Sequence, residues 1–372
     1  MFAANALAQT ALFADGYEDA AAPSMWVQGY YVGYERSLYA TNEIDFTAVT
    51  HLMVGRVTPN TNGTINKTFD IDAVNGPIFA SASSAAAHAA NRKAVLMVGG
   101  AGEYGWTSAA SSANRAAFVA NLLATMDQFN MDGLDLDWEP LDSPTDRAEL
   151  LALAQDLRAA RPSMILTIPV GWINVNFQPS DPYFGTIAPY FDRVNMMSYD
   201  MNYNQFGWDS WFTSALDGES GSTPSSIDSG VAFYLASGVP AAKLGIGIPF
   251  YGDCWQGVSA PRATIPNGSG IVASDGSMSY ANIMASYYAP SRYNFDAVAQ
   301  EPWLGSASGF GPQGCTFLSY ENDLSIAAKG AYAKQHALGG TIIWTISQGH
   351  VATAPAGQRD PLLAAIRAAF LQ

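Results

Sequence analysis

Residues 132–140 read DGLDLDWEP, and this stretch is the best predictor of the fold. Three acids, Asp135, Asp137 and Glu139, alternate with a leucine and a tryptophan, the period of two that is typical of a β-strand. On such a strand the carboxylates share one face, and the Cα atoms of successive acids lie about 6–7 Å apart. Three carboxylates on a buried strand cannot all keep their charge, so we expect at least one raised pKa. A carboxylic acid that stays protonated near neutral pH can act as a general acid.

The composition describes a folded, acidic chain. With 372 residues, of which 49% are hydrophobic and 13% charged, a large core is expected. The net charge of −15 argues against nucleic acid or an anionic membrane as a partner. No run of residues approaches the roughly 18 apolar residues of a membrane span. The aromatic content of 12% suits a cleft that stacks on sugar rings, although many of these residues must also serve the core.

Short apolar strands alternate with longer helical segments along most of the chain, which indicates βαβ units and a parallel sheet. The predicted strands are 26–31, 49–54, 93–98, 133–138, 164–169, 193–198, 244–249 and 341–346, and the clearest predicted helices are 109–129, 145–160, 324–336 and 362–371. Eight such strands predict an α/β fold of the (β/α)8 TIM barrel type. No glycine-rich phosphate loop opens the first helix, which argues against a dinucleotide-binding sheet.

One interval breaks this rhythm. Residues 253–316 are rich in Gly, Ser, Pro and aromatics, and they predict a small insertion domain after the seventh strand, forming one wall of a cleft. The barrel then comprises 25–252 and 317–372, and residues 1–24 are predicted to be a tail or linker.

The two cysteines, Cys254 and Cys315, both lie in or at the edge of the insertion. If bridged, they close a loop of about 60 residues, worth roughly 4 kcal/mol in the chain-entropy model. Two buried thiols are the alternative. A disulfide would imply an oxidising compartment, although the first 22 residues lack the basic segment of a secretory signal.

The acids of the strand are expected to differ in depth. Active sites of such barrels lie at the C-terminal ends of the strands, so Glu139 should lie at the mouth. Asp137 and Asp135 lie successively deeper and are expected to share a proton, whereas Asp132 precedes the strand and is expected to be structural. Grouped carboxylates could instead bind Mg²⁺ or Ca²⁺, but no second cluster of acids or histidines accompanies them, so no metal site is predicted.

The stretch resembles the D-G-x-D-x-D-W-E signature of glycoside hydrolase family 18, the chitinase family. Four further segments resemble motifs of that family: MSYD at 197–200, KLGIGIPFYG at 243–252, FLSYE at 317–321 and GGTIIW at 339–344. The resemblance covers the chain from about Trp26 to its end, and it implies that the insertion is the small α+β domain found in many members.

The resemblance implies a role for each matched residue. Glu139 would protonate the leaving sugar, Asp137 would orient the 2-acetamido group of the substrate, which attacks in place of an enzyme nucleophile, and Tyr199 would bond the acetamido oxygen. Asp135 would share a proton with Asp137. The other implied residues are Trp344, Met197, Asp200, Tyr30 and Tyr251 in substrate binding, and Asp132 and Gly133 in the structure of the motif.

The sequence also departs from the family pattern. The third strand usually carries a serine that bonds the deepest aspartate, but Met97 occupies that position. Asp135 must therefore be satisfied by another group, such as Tyr30 or Tyr31, or stay protonated. Ala101 replaces an aromatic residue that is often found beside two glycines, which predicts a more open site.

These observations predict a secreted, monomeric chitinase that needs no cofactor and acts on chitin and chito-oligosaccharides, with its signal peptide absent or truncated. An endo-β-N-acetylglucosaminidase of N-glycans is an alternative with the same fold and mechanism. A lectin-like chitin-binding protein without catalysis is another.

Overall fold

The computed structural model describes residues 25–141, 143–174, 176, 178–202 and 207–372, so the predicted tail at 1–24 lies outside the described residues. Its strands are β1 (Trp26–Val32), β2 (His51–Pro59), β3 (Ile65–Asn66), β4 (Lys93–Ala101), β5 (Gly133–Glu139), β6 (Ile165–Gly171), β7 (Arg193–Met197), β8 (Leu244–Pro249), β9 (Asp253–Gln256), β10 (Gly270–Ala273), β11 (Tyr293–Asp296), β12 (Glu301–Phe310), β13 (Cys315–Ser319) and β14 (Gly340–Trp344). Its α-helices are α1 (Asn75–Ala89), α2 (Trp106–Ala110), α3 (Arg115–Gln128), α4 (Pro144–Ala160), α5 (Pro182–Ile187), α6 (Ile227–Ala236), α7 (Tyr280–Ser286), α8 (Asp323–Gln335) and α9 (Pro361–Phe370).

Eight parallel strands close into a barrel in the order β1-β2-β4-β5-β6-β7-β8-β14. Closure comes from β1, which pairs with β2 on one side and with β14 on the other. The predicted (β/α)8 barrel is therefore confirmed. None of the described helices is long and apolar enough to cross a membrane.

Alternation along β5 separates two environments. Leu134 and Leu136 pack outward in the main core, together with Leu150 and Leu153 of α4. The acids between them point into the barrel, where the neighbouring apolar side chains form a separate cluster of Tyr30, Val32, Met53, Val95, Met97, Tyr199, Tyr251 and Ile342. The period of two thus places the carboxylates inside the barrel, as the sequence predicts.

Two helix predictions are wrong in detail. The predicted helix at 109–129 is divided into α2 and α3, because residues 111–114 leave the helical path and the Ser111 hydroxyl donates to the carbonyl oxygen of Ser108 at 2.7 Å. The alternation of strands with longer helical segments also fails after β1, which is followed by the short 3-10 turns Gly33–Glu35 and Thr41–Glu43. By contrast, α4 begins within one residue of the predicted helix, because the Ser143 side chain at its N-cap accepts from the Asp146 amide.

The segment after β8 forms its own antiparallel sheet, in the order β10-β9-β13-β12-β11, with α7 packed beside it. The disulfide Cys254–Cys315 joins the adjacent strands β9 and β13, with a Cα–Cα distance of 5.3 Å. The last strand runs to Ser319, beyond the predicted boundary at residue 316. Because β9 starts four residues after β8 ends, this sheet is held beside the mouth of the barrel.

Candidate active site

The deepest acid of β5, Asp135, is fully buried and hydrogen-bonded on both oxygens. The Tyr30 hydroxyl donates to Oδ2 at 2.7 Å, and the Thr167 hydroxyl donates to Oδ1. Thr167 and Met97 lie directly opposite Asp135 on the two neighbouring strands, so a hydroxyl from β6 replaces the serine that is missing from β4. Tyr31, the other predicted partner, instead donates to a main-chain carbonyl 2.8 Å away. Burial raises the pKa of Asp135 to about 6, and the two donors oppose that rise.

Asp137 lies beside Glu139 on β5, and the sharing of a proton between Asp137 and Asp135 stays a prediction. A hydrogen bond joins the carboxyl groups of Asp137 and Glu139. Burial, followed by the charges of Glu139 and Asp135, raises the pKa of Asp137 well above its ordinary value. Burial also raises the pKa of Glu139, against the hydrogen bond from Asp137 and the positive charge of Arg56. Oδ1 of Asp137 is buried and has no hydrogen-bond partner among the described residues.

A second group of polar side chains follows β7 and β8. Tyr251 donates to Asp200 at 2.7 Å, and the rings of Tyr199 and Tyr251 meet edge to face with centroids 6.2 Å apart. Burial, and then the charge of Asp253, raises the pKa of Asp200 to about 7. Burial, together with the charges of Asp137 and Glu139, keeps the Tyr199 hydroxyl protonated by raising its pKa. Tyr199 is therefore a hydrogen-bond donor at neutral pH.

Besides Thr167, three residues that support the site were not found from the sequence. Asp275, in the turn after β10, accepts from the Trp344 indole at 3.3 Å and from the Gln348 amide at 2.7 Å. Gln348 also donates to Glu35, at 2.7 Å, and burial raises the pKa of that carboxyl. The indole is thus held in place by a carboxylate from the inserted sheet. No local sequence pattern links residues so far apart along the chain.

These side chains surround a cavity of about 230 Å³. Its lining includes Glu139, Asp137 and Tyr199, all five predicted substrate-binding residues (Trp344, Met197, Asp200, Tyr30 and Tyr251), and also Asp275 and Ala101. Asp135 does not line the cavity; it lies two residues before Asp137 on β5. A second, larger cavity of about 860 Å³ shares Ala101, Glu139 and Met197 with the first, so the two form one cleft. Ala101, whose side chain is small, lines both cavities.

The two remaining motif residues lie outside the cavity. Asp132 accepts from the Ala94 amide, Lys93 and His88 at 2.8–2.9 Å. Burial opposes ionisation, but these hydrogen bonds prevail and lower its pKa. At Gly133, a Cβ atom would lie 2.0 Å from the carbonyl oxygen of Ile165, so only glycine fits. Within the described ranges, no group of three or more His, Cys, Asp or Glu side chains is arranged to hold a metal ion.

The family model of glycosyl hydrolases family 18 matches residues 27–349. The chain belongs to this family. It is 29% identical over 295 residues to chitinase A1 of Niallia circulans, covering 69% of this chain and 40% of that protein. It is 30% identical over 290 residues to chitotriosidase-1 of Mus musculus, covering 68% of this chain and 58% of that protein. The chain thus spans about half the length of these relatives.

Among solved structures, the fold is similar to that of the Group IV chitinase of Ostrinia furnacalis. The TM-score is 0.78 at 24% identity, with 94% of this chain and 100% of that chain covered. This likeness agrees with the barrel described above.

Proposed function

We propose that this chain hydrolyses β-1,4-linked polymers of N-acetylglucosamine and retains the configuration at the anomeric carbon. The observation that carries the proposal is the cavity in which Glu139 lies beside the unpartnered Oδ1 of Asp137. An unpaired buried acceptor is costly, so a donor on the substrate that satisfies it would gain binding energy. The names of the family relatives, chitinase and chitotriosidase, support the same substrate class.

Glu139 is the proposed general acid. Its raised pKa favours the protonated form, and it lies at the end of β5, where substrate enters. Its proton passes to the glycosidic oxygen as the bond from that oxygen to C1 breaks. The departing sugar leaves with that proton, and Glu139 becomes the carboxylate.

The proposed nucleophile is the carbonyl oxygen of the substrate's own 2-acetamido group, which closes on C1 and gives an oxazolinium ion. Oδ1 of Asp137 accepts the acetamido N–H, and the Tyr199 hydroxyl donates to the acetamido oxygen, so the group is held in attacking position. Water then attacks C1 and gives a proton to Glu139, and the oxazolinium ring opens while the sugar ring stays intact. The steps need no cofactor.

The remaining residues of the cavity are proposed to hold the sugar. The Trp344 ring lies 5.3 Å from that of Tyr30, centroid to centroid, and its indole nitrogen is fixed by Asp275. Because Asp275 belongs to the segment after β8, we propose that this segment is the predicted insertion domain and forms a wall of the cleft. The disulfide supports secretion into an oxidising compartment.

The test compares chitin oligomers with a high-mannose glycopeptide and records product lengths and the first anomer formed by NMR. Cleavage of the oligomers to the β-anomer is expected. Cleavage of the glycopeptide alone would favour the N-glycan enzyme, and oligomer binding without cleavage would favour the lectin-like protein. Fully deacetylated chitosan should resist hydrolysis; its ready cleavage would overturn the acetamido mechanism.

A matched pair of variants tests the acid. Glu139→Gln should lower turnover by at least about 10²-fold while oligomers still bind. Asp132→Asn changes an acid of the same motif outside the cavity, and it should lower stability without a comparable loss of turnover. A Glu139→Gln variant that keeps a tenth of the activity would contradict the assignment.

A further inference from the structure

A further cavity lies between the segment after β8 and the start of α8, and none of the residues that line the catalytic cavity lines it. It has a volume of about 310 Å³ and is lined by Tyr280, Tyr288, Tyr293 and Tyr320, together with polar groups of Asn322 and Asp323 at the start of α8. We call this cavity the tyrosine pocket. Its volume exceeds the 230 Å³ of the cavity around Glu139.

The tyrosine pocket combines exposed aromatic faces with polar groups. Tyr288 keeps 37% of its surface exposed and Leu324 keeps 53%, so both side chains can contact a ligand. The Tyr288 and Tyr293 rings meet at an angle of 62°, with centroids 6.3 Å apart. Asn322 donates to the Tyr293 hydroxyl at 3.2 Å, which fixes one phenol at the edge. Flat apolar faces beside fixed hydroxyl and carboxylate groups are suited to a ligand with both C–H faces and hydroxyl groups.

The phenol groups also lie close enough to influence one another. Burial raises the pKa of Tyr280 to about 12, and the charge of Asp323 and then that of Tyr288 add to the rise. Burial also raises the pKa of Tyr320, with contributions from the other three tyrosines and Asp323. The hydroxyls of Tyr280 and Tyr320 therefore stay protonated and can both donate and accept hydrogen bonds.

The pocket lies on the same side of the barrel as the catalytic cavity. Helices of a (β/α)8 barrel run antiparallel to the strands, so the beginning of α8 lies near the C-terminal ends of the strands, where Glu139 is found. The start of α7 connects the two sites directly. The Tyr280 amide donates to the Phe250 carbonyl at 2.8 Å, and Tyr251, which lines the catalytic cavity, pairs with Ser279.

We propose that the tyrosine pocket is a second, non-catalytic binding site for the neutral polysaccharide on which the cleft acts. The substrate class rests on the proposed function. The Asp323 carboxylate in the pocket and the net charge of −15 disfavour an anionic ligand. Binding here would hold an insoluble chain against the enzyme beside the cleft and raise its effective concentration there.

The test measures adsorption to insoluble chitin and, separately, hydrolysis of a short soluble oligomer. Adsorption is measured in the Glu139→Gln background, where turnover is suppressed. Tyr288→Ala should weaken adsorption about five- to tenfold, the usual cost of removing an aromatic anchor, and Tyr288→Trp should restore it. Val298→Ala, an exposed apolar residue in a different cavity of the same segment, is the matched control and should change nothing. In the parent background, Tyr288→Ala should hydrolyse the short oligomer at an unchanged rate.

The outcomes separate the two proposals. Equal adsorption by Tyr288→Ala and its parent would overturn the pocket, while oligomer hydrolysis would still support the proposed function. Tyr288-dependent adsorption by a chain that hydrolyses nothing would overturn the function and support the pocket. Equal losses of adsorption and of short-oligomer hydrolysis would overturn the pocket as a separate site.

Discussion

Removing one hydroxyl beside Asp135 should destabilise the fold by an amount that depends on pH. In Tyr30→Phe the ring stays in place but the donor to Asp135, 2.7 Å away in the parent, is lost. The folded pKa of Asp135, about 6, lies above its ordinary value of about 3.9. The folded state therefore binds this proton more tightly than the unfolded state does. As the pH rises from about 4 through 6, ionisation of Asp135 lowers the free energy of unfolding by about 3 kcal/mol. The Tyr30 hydroxyl opposes this loss because it stabilises the ionised form.

The cost of Tyr30→Phe can therefore be stated at two pH values. At pH 8, Asp135 is ionised in the folded state, and losing a hydrogen bond to a charged group costs about 1.5–3 kcal/mol. At pH 4.5 the carboxyl is protonated, and losing a neutral hydrogen bond costs about 0.5–1.5 kcal/mol. The free energy of unfolding should be measured by urea denaturation at both pH values, in parent and variant.

The neighbouring residue provides the control. Tyr31→Phe removes a hydroxyl that donates to an uncharged main-chain carbonyl, at 2.8 Å, so its cost should be the same at pH 4.5 and pH 8. If Tyr30→Phe costs the same at both pH values, or if Tyr31→Phe shows the same pH dependence, Asp135 does not titrate as argued and the reasoning is refuted.

Three further predictions concern other parts of the molecule. Replacing both Cys254 and Cys315 by serine should lower the free energy of unfolding by roughly 4 kcal/mol, measured by denaturation; a loss under 1 kcal/mol would contradict the loop-closure estimate. Lys329→Met leaves the fully buried carboxylate of Glu321 without its ion pair and should lower the free energy of unfolding by about 3–5 kcal/mol. Lys93→Met removes a more exposed ion pair, with Asp132, and should lower it by under about 1 kcal/mol. The charge of Arg56 lowers the pKa of both catalytic carboxyls, so Arg56→Gln should move the alkaline limb of kcat/KM to higher pH; a shift to lower pH would oppose this electrostatic role.

Local periodicity was enough to predict most of the barrel and the inner face of β5. Alternation with a period of two is written in consecutive residues, and burial of one face follows from it directly. The helix break at 111–114 could also have been anticipated, because Ser111 and its polar neighbours compete for main-chain hydrogen bonds.

The partners of the carboxylates could not be predicted in the same way. Thr167 meets Asp135 because β6 pairs with β5 in one particular register, and register depends on the packing of the whole barrel. Asp275 reaches Trp344 across 69 positions of sequence, through a segment whose strands have no strong pattern. The hydrogen bond between Asp137 and Glu139 depends on side-chain orientation rather than on spacing.

The closure of the barrel has a consequence for how the chain acquires its structure. β1 lies at the beginning of the described residues, and its outer edge is covered only when β14 pairs with it, through contacts such as Trp26 with Gly340. During synthesis the first strand must therefore wait for more than 300 residues, including the disulfide-linked sheet after β8, before its ladder is complete. Contacts so distant in sequence form slowly and leave a strand edge open to pairing with other chains. The edge of β1 should therefore stay open to such pairing until β14 has been made.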